Sequence, residues 1–120
     1  MKQLTKAEEE IMHILWNLRE ANVASIIDEM PEPKPAYNTV STIVRILESK
    51  GFVDHKKAGK GYIYFPVVEK ETYTDQSMNK LIDGYFNGSF KSMVSFFMKK
   101  NKMDSADLEA ILKEINKKED

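Results

Sequence analysis

The spacing of apolar residues in the middle of the chain predicts a helix with two different faces. From Tyr37 to Lys50, apolar residues recur at i, i+3, i+4 and i+7, which places their side chains on one side of a helix. These residues are Val40, Ile43, Val44 and Leu47. The opposite face carries Asn38, Ser41, Thr42, Arg45 and Ser49. We therefore predict a helix that packs on a core and presents short polar residues around one arginine.

The polar face of this helix has two interpretations. It carries few of the glutamate and lysine residues that usually solvate an exposed helix. An arginine pairs bidentately with guanine, and Asn, Ser and Thr reach base edges or phosphates, so the face suits a DNA major groove. An ordinary solvated helix is the alternative. Asn38 and Thr39 fit a second role equally well, which is to stabilise the start of the helix.

The first thirty-six residues predict two further helices. Thr5 followed by Glu8 is a capping-box pattern, which predicts that a helix begins there. Its apolar residues are Ile11, Ile14, Leu15 and Leu18, with Met12 and Trp16 beside them. A turn with a brief extended piece is predicted at residues 21–23, and a short helix from Ser25 to Met30. The three prolines between Pro31 and Pro35 cannot continue a helix and predict a stiff connector.

A β-hairpin is predicted after Gly51, which ends the central helix in a left-handed conformation. The strands run from Phe52 to Lys57 and from Tyr62 to Val67, and the turn between them contains two glycines. Ile63, Phe65 and Val67 alternate with Tyr62 and Tyr64, so one face of the hairpin should pack on the helices. Lys56, Lys57 and Lys60 gather at the tip. They are either solubilising residues or contacts to phosphates or the minor groove, and their position beside the central helix favours DNA.

The order helix, extended piece, helix, helix, hairpin is that of a winged helix-turn-helix, in which the third helix enters the major groove. We assign it to residues 1–68. The predicted fold class is mainly α with a small β-hairpin wing, followed by a three-helix region at residues 69–120.

Residues 69–120 carry more apolar surface than three short helices can enclose. The helices are predicted at Lys70 to Phe86, with Tyr73, Ser77, Leu81 and Ile82 inward, at Phe90 to Lys100, and from Asp104 with Asp107 onward. Burial against a second copy is the favoured solution, and docking onto the first domain is the alternative. The predicted dimer contacts are Leu81, Phe90, Met93, Val94, Phe97, Leu108, Ile111, Leu112 and Ile115.

Overall charge indicates little, but its distribution matters. Eighteen basic and nineteen acidic residues give a formal net charge of -1. From Lys34 to Gly61, six basic residues against two acidic ones give a local charge of +4, an electrostatic footprint for DNA. The chain has no cysteine, which excludes disulfides and thiolate metal sites. No signal peptide or membrane-spanning run is present, so we expect a soluble cytoplasmic protein.

No enzyme or metal site is predicted. The sequence contains no nucleophile-base pair, phosphate loop or metal constellation. No acidic cluster accompanies His13 or His55 at ligand spacing, and we interpret both as structural or solvated residues. No cofactor is expected. Two functions therefore compete, a dimeric DNA-binding repressor and a winged-helix module for protein interaction. The near absence of acidic residues on the outer face of the central helix favours the repressor.

Three stretches resemble the BlaI/MecI, or penicillinase repressor, family of bacterial winged-helix regulators. They are Leu4 to Glu8 running on to Ile11-Met12 and Leu15-Trp16, Tyr37 to Val40 with Thr42, Leu47 and Lys50-Gly51, and Tyr62 to Val67. The segments Phe90 to Val94 and the helix opened by Asp104 also resemble the family's dimerisation region. The resemblance covers nearly the whole chain. It implies a homodimer that binds a palindromic DNA operator and represses genes, often those for β-lactam resistance.

The resemblance also implies a route of inactivation. Family members of the resistance system lose repression when a membrane-bound sensor metalloprotease triggers cleavage at an Asn-Phe bond. The aligned bond here is Ser95-Phe96, which keeps the phenylalanine but not the asparagine. A copper-responsive branch uses a cysteine-rich tail, and the absence of cysteine excludes that route here.

Overall fold

A computed structural model describes residues 2–119, with the side chains of residues 2–117. The elements are α1 (Lys6–Leu18), α2 (Val23–Asp28), α3 (Tyr37–Ser49), β1 (Val53–Ala58), β2 (Gly61–Pro66), α4 (Lys70–Tyr85), α5 (Phe90–Lys100) and α6 (Ser105–Glu119). This order confirms the predicted fold class, helices with one antiparallel hairpin. Met1 and Asp120, the outermost residues of the two predicted domains, lie outside the described residues. No described helix combines the length and apolar character needed to cross a bilayer.

The chain divides into two compact units, residues 1–74 and 75–120. The division lies inside α4 rather than after residue 68, because Tyr73 packs into the first unit. Its hydroxyl accepts the Leu4 N–H at 3.3 Å, and its ring lies 5.6 Å from that of Phe52 and 6.0 Å from that of Trp16.

The core of the first unit is built on the predicted faces of α1 and α3. The Thr5 hydroxyl accepts the Glu8 N–H, and the Glu8 carboxylate accepts the Thr5 N–H, which confirms the capping box. Fully buried side chains from both helices and from the following turn fill the centre. They are Ile11, Met12, Leu15, Val40, Val44, Leu47 and Phe52. The short helix α2 begins at Val23, earlier than predicted, because the Asn22 side chain accepts the Ser25 N–H and caps it.

The hairpin packs on the core through the face of Tyr64 and Pro66, which are buried. Ala21 pairs with the edge of β2 at Tyr64. Its N–H donates to the Tyr64 carbonyl and its carbonyl accepts the Tyr64 N–H, at 3.0 and 2.9 Å, so β2 has a partner on each side at this point. Ile63 and Phe65 are half-buried, and Val67 is 56% exposed. The alternation of Ile63, Phe65 and Val67 therefore marks the less buried face of the strand.

A nearly buried ion pair joins the start of α1 to the end of α3. Lys50 Nζ donates to both carboxylate oxygens of Glu8, at 2.6 and 3.0 Å. Burial alone would raise the pKa of Glu8, but the hydrogen bonds from Lys50 and Thr5 and the charge of Lys50 together hold this pKa below its ordinary value of 4.5. The charged form of Glu8 therefore stabilises the fold.

Glu8→Gln should lower the free energy of unfolding by about 1–2 kcal/mol at pH 7, because charge-assisted hydrogen bonds are replaced by neutral ones. A carboxyl whose pKa is depressed by folding contributes stability above its unfolded pKa and loses it as the pH falls through the folded value. The difference between wild type and variant should thus shrink as the pH falls below the ordinary pKa of 4.5. Urea unfolding at several pH values measures it. Glu10→Gln, at an exposed position of the same helix, is the control; an equal difference for Glu8→Gln at all pH values would contradict this role.

The second unit contains the end of α4 together with α5 and α6. Asn87 and Gly88 have positive φ angles and end α4, as predicted. Asp104 and Asp107 each accept the other's backbone N–H at 3.0 Å, which confirms the predicted start of α6. Among the described side chains of this unit, Ile82 and Met93 are the buried apolar ones. The predicted inward residues Ser77 and Leu81 are exposed instead. Leu81 borders an open cleft that Phe96 and Phe97 of α5 also line.

Candidate DNA-binding surface

The core-facing stripe of α3 fixes which side of the helix faces outward. Val40, Val44 and Leu47 are buried and Ile43 is half-buried, which confirms the predicted stripe. The helix starts at Tyr37, directly after Ala36, whose extended backbone ends the proline-containing connector. With one side packed on the core, the outer face is left to solvent.

The structure brings the predicted base-contacting residues together on this outer face. Asn38, Thr39, Thr42 and Arg45 are exposed, and Ser41 is half-buried at the edge of the face. The Thr42 hydroxyl donates to the Asn38 carbonyl at 2.8 Å, so its own acceptor lone pairs and its methyl group remain available. Arg45 makes no ion pair with any described residue.

The tip of the hairpin carries lysines of two kinds. Ala58 pairs with Gly61, so Gly59 and Lys60 form a two-residue turn, and Gly59 has the positive φ that this turn requires. Lys57 and Lys60 are exposed and form no ion pair with the described part of the chain. Lys56 instead lies 2.9 Å from a Glu20 carboxylate oxygen.

Ion pairs and hydrogen bonds reduce the basic footprint predicted for residues 34–61. Lys50 is bound to Glu8 and Lys56 to Glu20. Lys34 donates to the backbone carbonyls of Asp28 and Met30 at the end of α2. Among the described side chains of this stretch, Arg45, Lys57 and Lys60 are the basic groups without such a partner. They lie on α3 and at the hairpin tip, the two elements that contact DNA in a winged helix.

Two apolar side chains of α3 were not predicted as surface residues. Tyr37 is 58% exposed and Ile46 is 41% exposed. Position 46 lies one helical turn after Thr42 and next to Arg45, away from the apolar stripe. The position of residue 46 around the helix axis could therefore have placed Ile46 on the outer face from the sequence alone. An aliphatic side chain there can contact a thymine methyl group.

A second group that spacing along the sequence did not reveal lies where α3 meets the hairpin. Glu48, Asp54 and His55 place one ligand-type atom each within 4.8 Å of one another. The Nδ1 atom of His55 is hydrogen-bonded to a Glu48 carboxylate oxygen. Seven residues separate this pair in the sequence, so the fold and not local spacing brings it together.

Helices α1 to α3 followed by an antiparallel hairpin, with the outer face of the third helix free, define a winged helix-turn-helix domain. Residues 4–117 match the family described as Penicillinase repressor. The chain belongs to this family. The family consists of transcriptional repressors, and its members are not enzymes.

Individual relatives agree with the family match. The chain is 30% identical to the methicillin resistance regulatory protein MecI of Staphylococcus aureus strain N315, over 97% of this chain and 95% of that protein. It is 24% identical to the penicillinase repressor of Bacillus licheniformis, over 88% and 84% of the two chains.

Solved structures resemble more than half of the chain. The DNA-binding domain of the repressor BlaI superposes with a TM-score of 0.52 and 28% identity, covering 59% of this chain and 88% of that one. A monomeric form of Bacillus licheniformis BlaI in complex with the blaP half-operator superposes with a TM-score of 0.50 and 27% identity, covering 60% and 89%.

Proposed function

We propose that this protein represses transcription in the cytoplasm by binding a palindromic double-stranded DNA operator as a homodimer. The observation that carries the proposal is the outer face of α3. Asn38, Thr39, Thr42 and Arg45 are exposed there, Arg45 has no ion pair with a described carboxylate, and the other side of the helix packs on the core. A rigid helix with short polar side chains fits closely into a major groove. The BlaI structure bound to a half-operator supports this use of the fold.

Specificity and affinity would come from different residues. Arg45 has the length and the donor geometry for a bidentate contact with guanine, and Ser41, Thr42 and Asn38 reach neighbouring base edges or phosphates. Lys57 and Lys60 at the wing tip contact phosphates, which position the protein without reading sequence. Lys56 contributes less, because its ammonium group is already paired with Glu20.

Lys57→Ala and Lys60→Ala should each weaken binding to all DNA sequences similarly and reduce the slope of log K against log salt by about one. The reason is that each lysine releases counterions from about one phosphate. Fluorescence anisotropy at several salt concentrations measures the slope. Lys91→Ala, an exposed lysine of α5, is the control and should leave it unchanged. An unchanged slope in both wing variants would remove the wing from the interface.

The dimer is proposed to form through the second unit, whose apolar surface is largely uncovered. Exposed fractions are 63% for Phe90, 47% for Phe97, 44% for Ile111, 49% for Leu112 and 48% for Ile115. Leu81, Tyr85, Phe86, Phe96 and Phe97 line an open apolar cleft of about 530 Å³. Burial of such a surface against a second copy is the usual solution for a soluble chain. Of the other predicted contacts, Leu81 is exposed, and Val94 and Leu108 are half-buried. Met93 is buried within its own chain, so it would pack beneath the interface residues and not contact the second copy directly.

Inactivation is proposed to follow cleavage of the Ser95-Phe96 bond, triggered by a membrane-bound sensor metalloprotease as in relatives of the resistance system. The bond lies inside α5, so a protease requires this helix to open locally. Inducer treatment of the native host should yield a fragment ending at Ser95, detected by mass spectrometry of the purified protein. Phe96→Ala should block its formation, whereas Phe97→Ala, similarly exposed and one residue on, should not. Derepression with the chain intact throughout would contradict this route.

A further inference from the structure

The Glu48, Asp54 and His55 group combines the donor types that a transition metal prefers. The neutral imidazole and carboxylates of such a group bind zinc and related divalent ions through nitrogen and oxygen. Glu48 belongs to the last turn of α3, and Asp54 and His55 are the second and third residues of β1. The group therefore joins the proposed base-reading helix to the wing.

The distances fit an ion with small side-chain adjustments. The three ligand-type atoms lie within 4.8 Å of one another. Two ligands of one zinc ion, with bonds of about 2.0–2.2 Å, are about 3.3–4.4 Å apart. Rotations about side-chain torsions that move the ligand atoms by roughly 1 Å or less are enough to bring all three within bonding distance of one ion.

Neighbouring groups already orient these ligands. The His55 ring meets the Tyr62 ring edge-on with centroids 4.9 Å apart, and the Tyr64 ring lies 5.8 Å away. One Asp54 carboxylate oxygen accepts the backbone N–H of His55 at 2.8 Å, which leaves the other oxygen available. Glu48 is half-buried. Ligands held by surrounding groups lose less freedom when an ion binds.

We propose that Glu48, Asp54 and His55 bind one divalent transition-metal ion of the zinc class, and that this ion couples α3 to the wing. The consequence for DNA rests on the proposed function. The two carboxylates place negative charge between the elements that contact phosphates, and a divalent ion offsets that charge. The metal-bound protein should therefore bind its operator more tightly than the metal-free protein.

The metal site is tested without DNA, so its outcome is independent of operator binding. Isothermal titration of the full-length, chelator-treated protein with zinc chloride should give one ion per chain. Cobalt(II) absorption in the visible range should show nitrogen and oxygen coordination with the same stoichiometry. His55→Gln and Glu48→Gln should each weaken binding by about tenfold or more, while circular dichroism confirms that they fold.

His13→Gln provides the matched control, because His13 is also exposed and its Nε2 atom lies 3.9 Å from a Glu9 carboxylate oxygen, outside the proposed site. It should leave the zinc affinity unchanged. Absence of saturable binding, or equal zinc affinity in wild type and both site variants, would overturn the proposed site.

The coupling to DNA has a separate readout. Operator affinity of the wild type, measured by anisotropy with and without saturating zinc, should rise several-fold, and His55→Gln should remove the difference. Zinc binding at this site with no change in operator affinity would overturn the coupling. Loss of DNA binding under all conditions would contradict the proposed function and not the metal site.

Discussion

Replacing Leu112 with aspartate is expected to lower operator affinity by about 100-fold or more. Leu112 is 49% exposed on α6, beside Ile111 and near Ile115, in the surface proposed to pair with a second copy. A charge placed in an apolar interface loses its hydration without gaining a partner, so the dimer dissociates. Each monomer then binds one half-site, and the gain from two linked half-sites is lost. Sedimentation and operator titration of the full chain measure the two effects together.

Ala110→Asp is the matched control for Leu112→Asp. It introduces the same charge on the same helix, at an exposed position on the opposite side from the apolar residues. It should leave both assembly and affinity unchanged. A wild-type protein that sediments as a monomer at micromolar concentration and still binds its operator tightly would contradict the dimer proposal.

Arg45→Ala is expected to cost about 1–3 kcal/mol on the operator and to relax sequence preference at one position per half-site. Arg45 is exposed at the centre of the outer face of α3 and makes no ion pair with described residues. Its replacement therefore breaks no ion pair within the protein, and the loss of affinity reports the contact with DNA. Titration with operators changed at each position in turn locates the relaxed base pair.

Arg45→Lys separates base reading from phosphate contact. Lysine keeps the charge but loses the planar fork that pairs with guanine, so it should not restore the lost preference. If Arg45 contacted only phosphate, Arg45→Lys would keep most of the operator affinity. Equal losses on operator and random DNA for Arg45→Ala would exclude Arg45 from base recognition.

Local patterns predicted most of the fold of the first unit. The capping box at Thr5, the stripe from Val40 to Leu47 and the left-handed Gly51 each depend on neighbouring residues, and all three are present in the structure. The packed face of β2 was harder to predict. The structure buries Tyr64 and Pro66 and pairs Tyr64 with Ala21, which is remote in sequence. The local alternation of apolar residues does not contain this information.

The sequence predicted which residues lie in the candidate site, but not which of its basic side chains form ion pairs within the protein. The outer face of α3 follows from helical geometry, and the structure places Asn38, Thr42 and Arg45 there. Which lysines are free depends on long-range partners, since Lys50 lies near Glu8 only in the folded chain. The same holds for His55, whose carboxylate neighbour Glu48 comes from another element. Tertiary contacts of this kind leave no periodic signal in a sequence.

The central claim is that the chain reads DNA sequence as a dimer through α3. Selection of duplexes from a random-sequence library by the full-length protein tests it most directly. The recovered sites should be inverted repeats whose half-sites are spaced by about one helical turn or a multiple of it. Selection with Arg45→Ala should lose the preference at one symmetric pair of positions. Recovery of sequences no different from the starting library would contradict the claim.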